Sequence, residues 1–131
     1  MHILLETANR LYSEQWVGSD SHLYDRIRQY EDLIEAQFRT VRGISAYAQQ
    51  MNLTPNHLNH ICKKVLGKTA SQLLNERIII EAQRLLMHTA QSVKEIGYQL
   101  GFEDPSYFIR FFKKNTDQTP IAFQQLLRAN H

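Results

Sequence analysis

Two stretches of this chain carry the side chains best suited to do chemistry, residues 55–66 and residues 105–115. Each begins with proline and holds a pair of lysines, and the second also holds Arg110. On a helix these cations fall opposite a stripe of apolar residues, so one face of each stretch is basic. Ammonium groups bind phosphates as point charges, whereas an arginine can bond the O6 and N7 atoms of guanine together. This pattern favours contact with double-stranded DNA.

The polar residues of the two stretches divide by the contact that each type can make. Asparagine can pair with adenine, histidine can donate to guanine, and residues near a helix N-terminus lie where such helices enter a groove most deeply. The candidate base contacts are therefore Asn56, Asn59, His60, Ser106 and Arg110. The expected phosphate contacts are Lys63, Lys64, Lys113 and Lys114. Three further residues are expected either to bind phosphate or to be merely solvated: Arg39, Arg42 and Lys94.

Local signals define the helices that must position the second basic face. Ser92 and Glu95 have the spacing of a capping box, so a helix is expected to start there. Gly101 can end that helix in the left-handed conformation. Asp104, which precedes a proline, then signals the start of a second helix. A short helix, a tight turn and a basic helix make a helix-turn-helix pattern over residues 92–116.

The first basic stretch belongs to a second copy of this unit, residues 45–67. With a shift of 49 and then 50 residues, its core and basic positions fall on those of the unit at 92–116. Ser45 can cap its first helix, Asn52 can hold the turn with a positive φ, and Thr54 repeats the cap that precedes a proline. The chain therefore carries two helix-turn-helix units in tandem.

A long helix, residues 70–89, is predicted between the two units, started by Thr69. At roughly 1.5 Å per residue it would span about 27 Å. Successive major grooves repeat at about 34 Å, so a rigid spacer of this size suits two helices that enter neighbouring grooves. We expect the spacer itself not to read bases. A last helix, residues 120–129, is expected to pack Phe123, Leu126 and Leu127 and to end the domain.

The segment GFEDPSYFIRFFKKNTDQTPIAF, residues 101–123, strongly resembles the second helix-turn-helix unit of the AraC/XylS family of bacterial transcription regulators. The match is long and gapless, and it departs from the family pattern at two positions. Asp117 stands where the family usually has glycine, and Ile109 where it usually has a small polar residue. By its position in the pattern, Ile109 joins the candidate base contacts. Tyr107 is expected mainly to pack in the core.

This resemblance implies an all-α, homeodomain-like fold in which a connecting helix joins two helix-turn-helix subdomains. It also implies a sequence-specific DNA-binding domain whose recognition helices, 55–66 and 105–115, enter successive major grooves. The regulator that contains such a domain is expected to activate transcription. The implied partners are double-stranded DNA and RNA polymerase, in the cytoplasm. No cofactor, metal, membrane or small molecule is expected for this fragment. It is expected to be monomeric, within a full-length protein that can be a homodimer.

The N-terminal residues 1–23 are interpreted as the remnant of an upstream sensor or dimerisation domain. They comprise a predicted helix, residues 2–16, and a small, polar linker, residues 17–23. The alternative is that this leader folds back onto the DNA-binding domain, residues 24–131. The first helix of that domain is predicted to start at Tyr24 and to end near Phe38.

Several other chemistries are excluded by spacing. His57, His60 and Cys62 do not share a helix face, so they do not form a metal site. Glu76 and Glu81 lack a cleft or a base, and no nucleophile–base pair or phosphate loop is present, so the chain is not expected to be an enzyme. The single cysteine rules out a disulfide framework within the chain. No apolar run approaches the roughly 20 residues of a membrane span.

The formal charge of +2 hides an uneven distribution. Residues 1–35 hold 3 Lys/Arg and 7 Asp/Glu, whereas residues 36–131 hold 12 and 6. A polyanion is therefore expected to bind residues 36–131 rather than residues 1–35. Two alternatives stay open: an architectural protein that binds DNA without sequence choice, and a helical protein-interaction module whose basic faces are incidental.

Overall fold

A computed structural model of the chain describes residues 14–129 and, from residue 21 onward, their side chains. Every regular secondary-structure element in this part is a helix, which confirms the predicted fold class. Helices α1 to α3 form a first lobe, α5 to α7 form a second, and α4 packs against both. The helices are α1 (Glu14–Gln37), α2 (Ile44–Gln50), α3 (Pro55–Leu66), α4 (Ala70–His88), α5 (Val93–Gln99), α6 (Pro105–Thr116) and α7 (Pro120–Ala129).

Helix α1 is longer than predicted. Residues 17–23, interpreted as a linker, lie within it, so that prediction was wrong. The stretch contains no proline, and a glycine or serine inside a helix costs only about 1 kcal/mol or less. Packing of the later turns offsets this cost, since one face of the helix and the residue after it are buried, namely Ile27, Tyr30, Ile34 and Phe38. Most of the predicted leader helix, residues 2–16, lies outside the described residues.

The first lobe closes around two tyrosines. Tyr30 of α1 and Tyr47 of α2 are fully buried and meet edge to face, with their ring centroids 5.7 Å apart. Each hydroxyl donates a 2.7 Å hydrogen bond to a backbone carbonyl, Tyr30 to Ala70 and Tyr47 to Val41. A buried tyrosine is favourable when its ring packs and its hydroxyl is satisfied, and both conditions hold here. These two bonds tie the lobe to α4 and to the segment before α2.

Helix α2 starts without a side-chain cap. Its N-cap is Gly43, and it begins at Ile44, so Ser45 lies within the first turn. The prediction that Ser45 caps this helix was therefore wrong. Burial of Tyr47 holds the helix in place instead, because tertiary packing stabilises a short helix more than its own propensity does. At the following turn Asn52 has φ 60°, as predicted.

The connecting helix α4 is fixed firmly to the first lobe. It has 19 residues, which at 1.5 Å each span about 28 Å. Thr69 and Gln72 form a capping box at its start, which confirms Thr69 as the starting residue. Ala70, its first residue, donates its N–H to Oδ1 of Asn59 at 2.8 Å and accepts from Tyr30 through its carbonyl. The start of the connecting helix is therefore held in a fixed position on the first lobe by hydrogen bonds.

The second lobe follows the predicted start and stop signals. Ser92 and Glu95 form a capping box at the start of α5. Gly101 then adopts φ 93°, which a residue with a side chain rarely does, and the chain turns into α6. Asp104 caps α6 by accepting the N–H of Ser106 at 2.9 Å.

Aromatic rings fill the second lobe. Phe102 in the turn lies 5.4 Å from Phe108 and 5.3 Å from Phe111, centroid to centroid, so the turn rests on α6. Phe112 in turn meets Phe123 of α7 at 5.7 Å. Leu126, predicted to pack in this core, is 50% exposed, so that prediction was wrong.

Candidate nucleic-acid interface

Helices α3 and α6 have the same construction. Each has 12 residues, starts with proline behind an N-cap, and ends with two lysines in its last turn. Thr54 and Asp104 supply the caps, and both helices end at a residue in the left-handed region, Gly67 at φ 73° and Asp117 at φ 66°. Asp117 takes the role that glycine plays in the first unit. The predicted correspondence between the two units is confirmed by these caps and ends.

Arg110 lies exposed on α6 and is backed by an aromatic ring. Its guanidinium carbon is 4.8 Å from the centroid of Tyr107, one turn earlier. Tyr107 is itself 55% exposed, so the prediction that it mainly packs in the core was wrong. An exposed cation–π pair contributes about 0.5–1 kcal/mol. The ring therefore narrows the orientations open to Arg110 while leaving its N–H donors available.

Ser106 presents acceptors rather than a donor. Its hydroxyl donates to Oδ1 of Asp104 at 2.9 Å, and its backbone N–H donates to the same oxygen. The backbone hydrogen bond is the largest cause that lowers the pKa of Asp104, and the hydroxyl hydrogen bond is the second. The carboxylate therefore stays ionised at neutral pH. The hydroxyl proton of Ser106 is thus engaged, and its outward lone pairs suit an amino group such as adenine N6 or cytosine N4.

Asn59 and its counterpart Ile109 are less exposed than predicted. Both are half-buried, whereas Asn56 and His60 lie open to solvent on α3. The amide oxygen of Asn59 accepts the N–H of Ala70, so it holds the start of α4. A bidentate contact with adenine needs the amide oxygen and the amide nitrogen together. In this arrangement Ala70 occupies one of the two acceptor positions of the Asn59 oxygen, which restricts a bidentate contact and leaves the amide nitrogen as the freer group.

The five lysines named as phosphate candidates are all exposed, as predicted from the sequence: Lys63, Lys64, Lys94, Lys113 and Lys114. None of the ion pairs found within residues 21–129 involves them. Their charges are therefore not neutralised by carboxylates in that range, as a phosphate-binding surface requires.

The two arginines named as phosphate candidates, Arg39 and Arg42, both make contacts within the protein. Arg39 pairs with Glu81 at 2.8 Å. Arg42 is half-buried; it donates to the carbonyls of Phe38 and Leu100 and lies over the ring of Phe102, 4.4 Å from its centroid. Burial lowers the pKa of Arg42, although an arginine stays charged at neutral pH. Arg42 is therefore not merely solvated, and its assignment to phosphate stays a prediction.

The structural role of Glu81 is not evident from the sequence, where this residue is a candidate only for catalysis. This carboxylate is 4% exposed and accepts hydrogen bonds from Arg84 at 2.6 and 3.1 Å as well as from Arg39. Arg77 lies 3.7 Å away and also pairs with Glu35 of α1. The spacing of Arg77, Glu81 and Arg84 along one helix was a usable signal for an ion pair, though not for its burial.

Neither a metal-binding cluster nor a membrane-spanning helix is found among the described residues. Across residues 14–129, no group of three or more His, Cys, Asp or Glu residues is placed to hold a metal ion. No helix in that part of the chain is long and apolar enough to cross a bilayer.

Known proteins resemble this chain in sequence and fold. A family model described as a helix-turn-helix domain matches residues 47–126. The arabinose operon regulatory protein of Salmonella typhimurium is 31% identical over 106 residues, which cover 80% of this chain and 36% of that protein. The chain spans 36% to 49% of the length of that and two other curated relatives.

Two solved structures have a similar fold. The C-terminal domain of the response regulator yesN from Fusobacterium nucleatum matches with a TM-score of 0.70 and 27% identity, over 76% of this chain and 98% of that one. The DNA-binding domain of AdpA, solved in complex with a target DNA, matches with a TM-score of 0.69, over 83% of this chain and 95% of that one. Its identity of 20% makes this second likeness one of fold.

Proposed function

Because this chain belongs to the AraC/XylS family of helix-turn-helix transcription regulators, we propose that it reads DNA with α3 and α6 in two successive major grooves. The single observation that carries the proposal is that α3 and α6, which α4 separates in the chain, have the same length, the same kind of start and the same basic last turn. Both have an exposed basic end and a buried apolar face, and the spacer of about 28 Å suits the groove repeat of about 34 Å.

Each exposed residue has a role in this proposal. Arg110 bonds a guanine through O6 and N7, and Ser106 accepts from an adjacent amino group. In the first unit, Asn56 and His60 face the bases, and Asn59 offers its amide nitrogen. Ile109 contributes an apolar contact. The roles follow from the donors and acceptors that each side chain has left after its contacts within the protein.

The lysine surface supplies affinity without sequence choice. Lys63, Lys64, Lys113 and Lys114 bind phosphates flanking the two grooves, and Lys94 adds a charge at the first turn of α5. Counterions released from these phosphates make binding weaken with salt. Arg39 has its charge occupied by Glu81 and is a weaker contributor.

In the full-length regulator we propose that this domain activates transcription by positioning RNA polymerase, and that it acts in the cytoplasm without catalytic activity of its own. This chain spans less than half the length of its first relatives. Activation and the polymerase partner are properties of a whole regulator, so we infer them from family membership alone. The domain carries both reading units, so it binds as a monomer, and dimerisation would come from other parts of the protein.

Selection of bound duplexes from a random pool tests the proposal. We expect a split motif, two preferred patches of bases about one helical turn or roughly 10.5 base pairs apart. Enrichment of a single patch would contradict the use of two grooves. Equal binding of all duplexes would identify an architectural protein, and no salt-dependent binding to any duplex would leave the protein-interaction module as the better reading.

A further inference from the structure

The segment between α1 and α2 reaches across to the second lobe. Although it belongs to the first lobe in sequence, its backbone comes very close to Gly101, in the turn before α6. A Cβ added at Gly101 would lie 1.9 Å from the carbonyl oxygen of Arg39 and 3.0 Å from Nη2 of Arg42. So close an approach leaves room only for glycine. The two lobes are therefore joined at a second place besides α4.

Arg42 makes the specific contacts at this second joint. Its Nη2 donates to the carbonyl of Leu100, the C-cap of α5, and its Nη1 donates to Phe38 at 3.3 Å. The last carbonyls of a helix lack partners within the helix and carry partial negative charge, so a cation there is favourable. The guanidinium carbon of the same side chain lies over the ring of Phe102, 4.4 Å from its centroid. Arg42 thus binds one lobe while its backbone is part of the other.

Both ends of this joint are anchored. On the first-lobe side, Phe38 is buried and the Val41 carbonyl accepts the hydroxyl of Tyr47. On the second-lobe side, Phe102 packs against Phe108 and Phe111 of α6. A displacement of Arg42 would therefore be transmitted to α6 through the ring of Phe102, which packs against Phe108 and Phe111.

We propose that Arg42 is a positioning residue that locks the second reading helix in a fixed rotation relative to the first, and so sets the spacing between half-sites that the chain accepts. This inference rests on the proposed two-groove binding. A single helix between two lobes leaves bending and twisting open, whereas a second attachment away from its axis removes that freedom. Half-sites rotate by about 34° with each added base pair, so a rigid pair of helices tolerates few spacings.

The test is a series of duplexes made from the selected motif, with zero, one, two and three base pairs inserted or removed between its two patches. Affinities are measured for the wild-type chain, for Arg42→Ala and for Arg28→Ala, which removes an exposed arginine from α1 and serves as the matched control. We expect the wild type and Arg28→Ala to lose at least about tenfold in affinity with two inserted base pairs, or about 1.4 kcal/mol. Arg42→Ala should lose less than about threefold.

Two further readouts separate positioning from other roles. If Arg42 acts inside the protein, Arg42→Ala keeps the wild-type slope of log affinity against log salt. A slope reduced by about 0.9 would make Arg42 a phosphate contact and overturn the proposal. The Arg110→Ala change should reduce affinity by the same factor in both backgrounds, since the second lobe still reads its bases. A smaller factor in Arg42→Ala would mean that this lobe is damaged rather than released.

Unchanged spacing preference in Arg42→Ala overturns the role of Arg42 alone. A wild type without any preferred spacing overturns the two-groove proposal as well. Should Arg42→Ala fail to fold, Phe102→Leu provides the second measurement, because it removes the ring under the guanidinium and keeps an apolar side chain. A flattened spacing preference in Phe102→Leu supports the proposal, and the wild-type preference opposes it.

Discussion

The hydroxyl of Tyr30 donates a hydrogen bond to the carbonyl of Ala70, 40 residues further along the chain. Burial raises the pKa of this hydroxyl well above its usual value, so it remains a donor throughout the neutral range. Asn59 holds the N–H of Ala70 at the same time. The first residue of the connecting helix is therefore gripped on both its backbone groups by the first lobe.

Removal of this hydroxyl should destabilise the domain. We expect Tyr30→Phe to lower the free energy of unfolding by about 1–2 kcal/mol, because a buried hydrogen bond is lost while the ring is kept. Urea denaturation gives the value, with an unchanged m-value as the sign that the native state is otherwise intact. Tyr24→Phe is the control, since that tyrosine is 57% exposed. Equal effects of the two changes would show that the Tyr30 bond contributes nothing.

Arg110 should govern preference at one base position. On the selected duplex, Arg110→Ala is expected to weaken binding by about 1–3 kcal/mol and to relax the choice of base at a single position. Tyr107→Ala should cause part of the same loss, because the ring that orients the guanidinium is gone, whereas Arg110 itself remains. Competition binding with all four bases at each position measures both. Equal weakening on every duplex would reassign Arg110 to phosphate.

Lys113 should contribute charge without sequence preference. We predict that Lys113→Ala weakens binding to the selected and to random duplexes by the same factor and reduces the salt slope by about 0.9. Lys68→Ala is the matched control, because the ammonium of Lys68 is already paired with Glu76 at 2.9 Å. A loss confined to the selected duplex would place Lys113 at a base instead.

Glu81 should make stability depend on acid pH. Hydrogen bonds from Arg84 are the largest cause that lowers the pKa of Glu81, and its burial acts in the opposite direction. Because the folded pKa lies below the unfolded value of about 4.3, this stabilisation is complete above that value and disappears as the pH falls through the folded one. At pH 7, Glu81→Gln should therefore lose about 1–3 kcal/mol.

Denaturation of both proteins between pH 2 and 7 checks this dependence, and their stabilities should converge toward the acid end. Glu76→Gln is the control, since the Lys68–Glu76 pair is half exposed on both sides. Exposed pairs typically contribute 1 kcal/mol or less, so its effect should be small at every pH. A difference between wild type and Glu81→Gln that is constant with pH would contradict the assignment.

Two glycines with positive φ should respond differently to alanine. Gly67, at the end of α3, has no atom within 4 Å of an added Cβ, so Gly67→Ala should cost only the backbone strain of about 1–2 kcal/mol. Gly101→Ala meets the Arg39 carbonyl in addition and should cost at least about 2 kcal/mol more. Thermal and urea unfolding of the pair gives the difference. Similar losses would mean that the approach of the two lobes is loose.

Much of this fold is predictable because its signals are local. The caps at Thr54, Thr69, Ser92 and Asp104 are each set by residues within one turn of the chain, and all four are found as predicted. Ser45 has the residue type of a cap as well, but α2 starts one position before it. Residue type alone does not fix a helix start to within one residue.

Two of the errors concern side chains whose partners are distant in sequence. Arg42 reaches Leu100 and Asn59 reaches Ala70, so nothing next to them in the chain reports that they are engaged. Tyr107 was assigned to the core because aromatic residues usually pack, yet its ring supports Arg110 at the surface. Exposed lysines needed no tertiary information, since a helix periodicity already places them outside. The exposure of the candidate lysines was thus predictable, whereas the contacts that Arg42, Asn59 and Tyr107 make within the protein were not.

His60 of α3 and Arg110 of α6 hold matching positions in the repeat but differ in chemistry. Under the proposed two-groove binding, a chain turned end for end on a duplex would bring each of them to the bases that suit the other. The proposed binding site would therefore be directional, and the bound domain would have one orientation along the duplex. Inversion of such a site would reverse the orientation of the bound domain, although every base pair in it is kept.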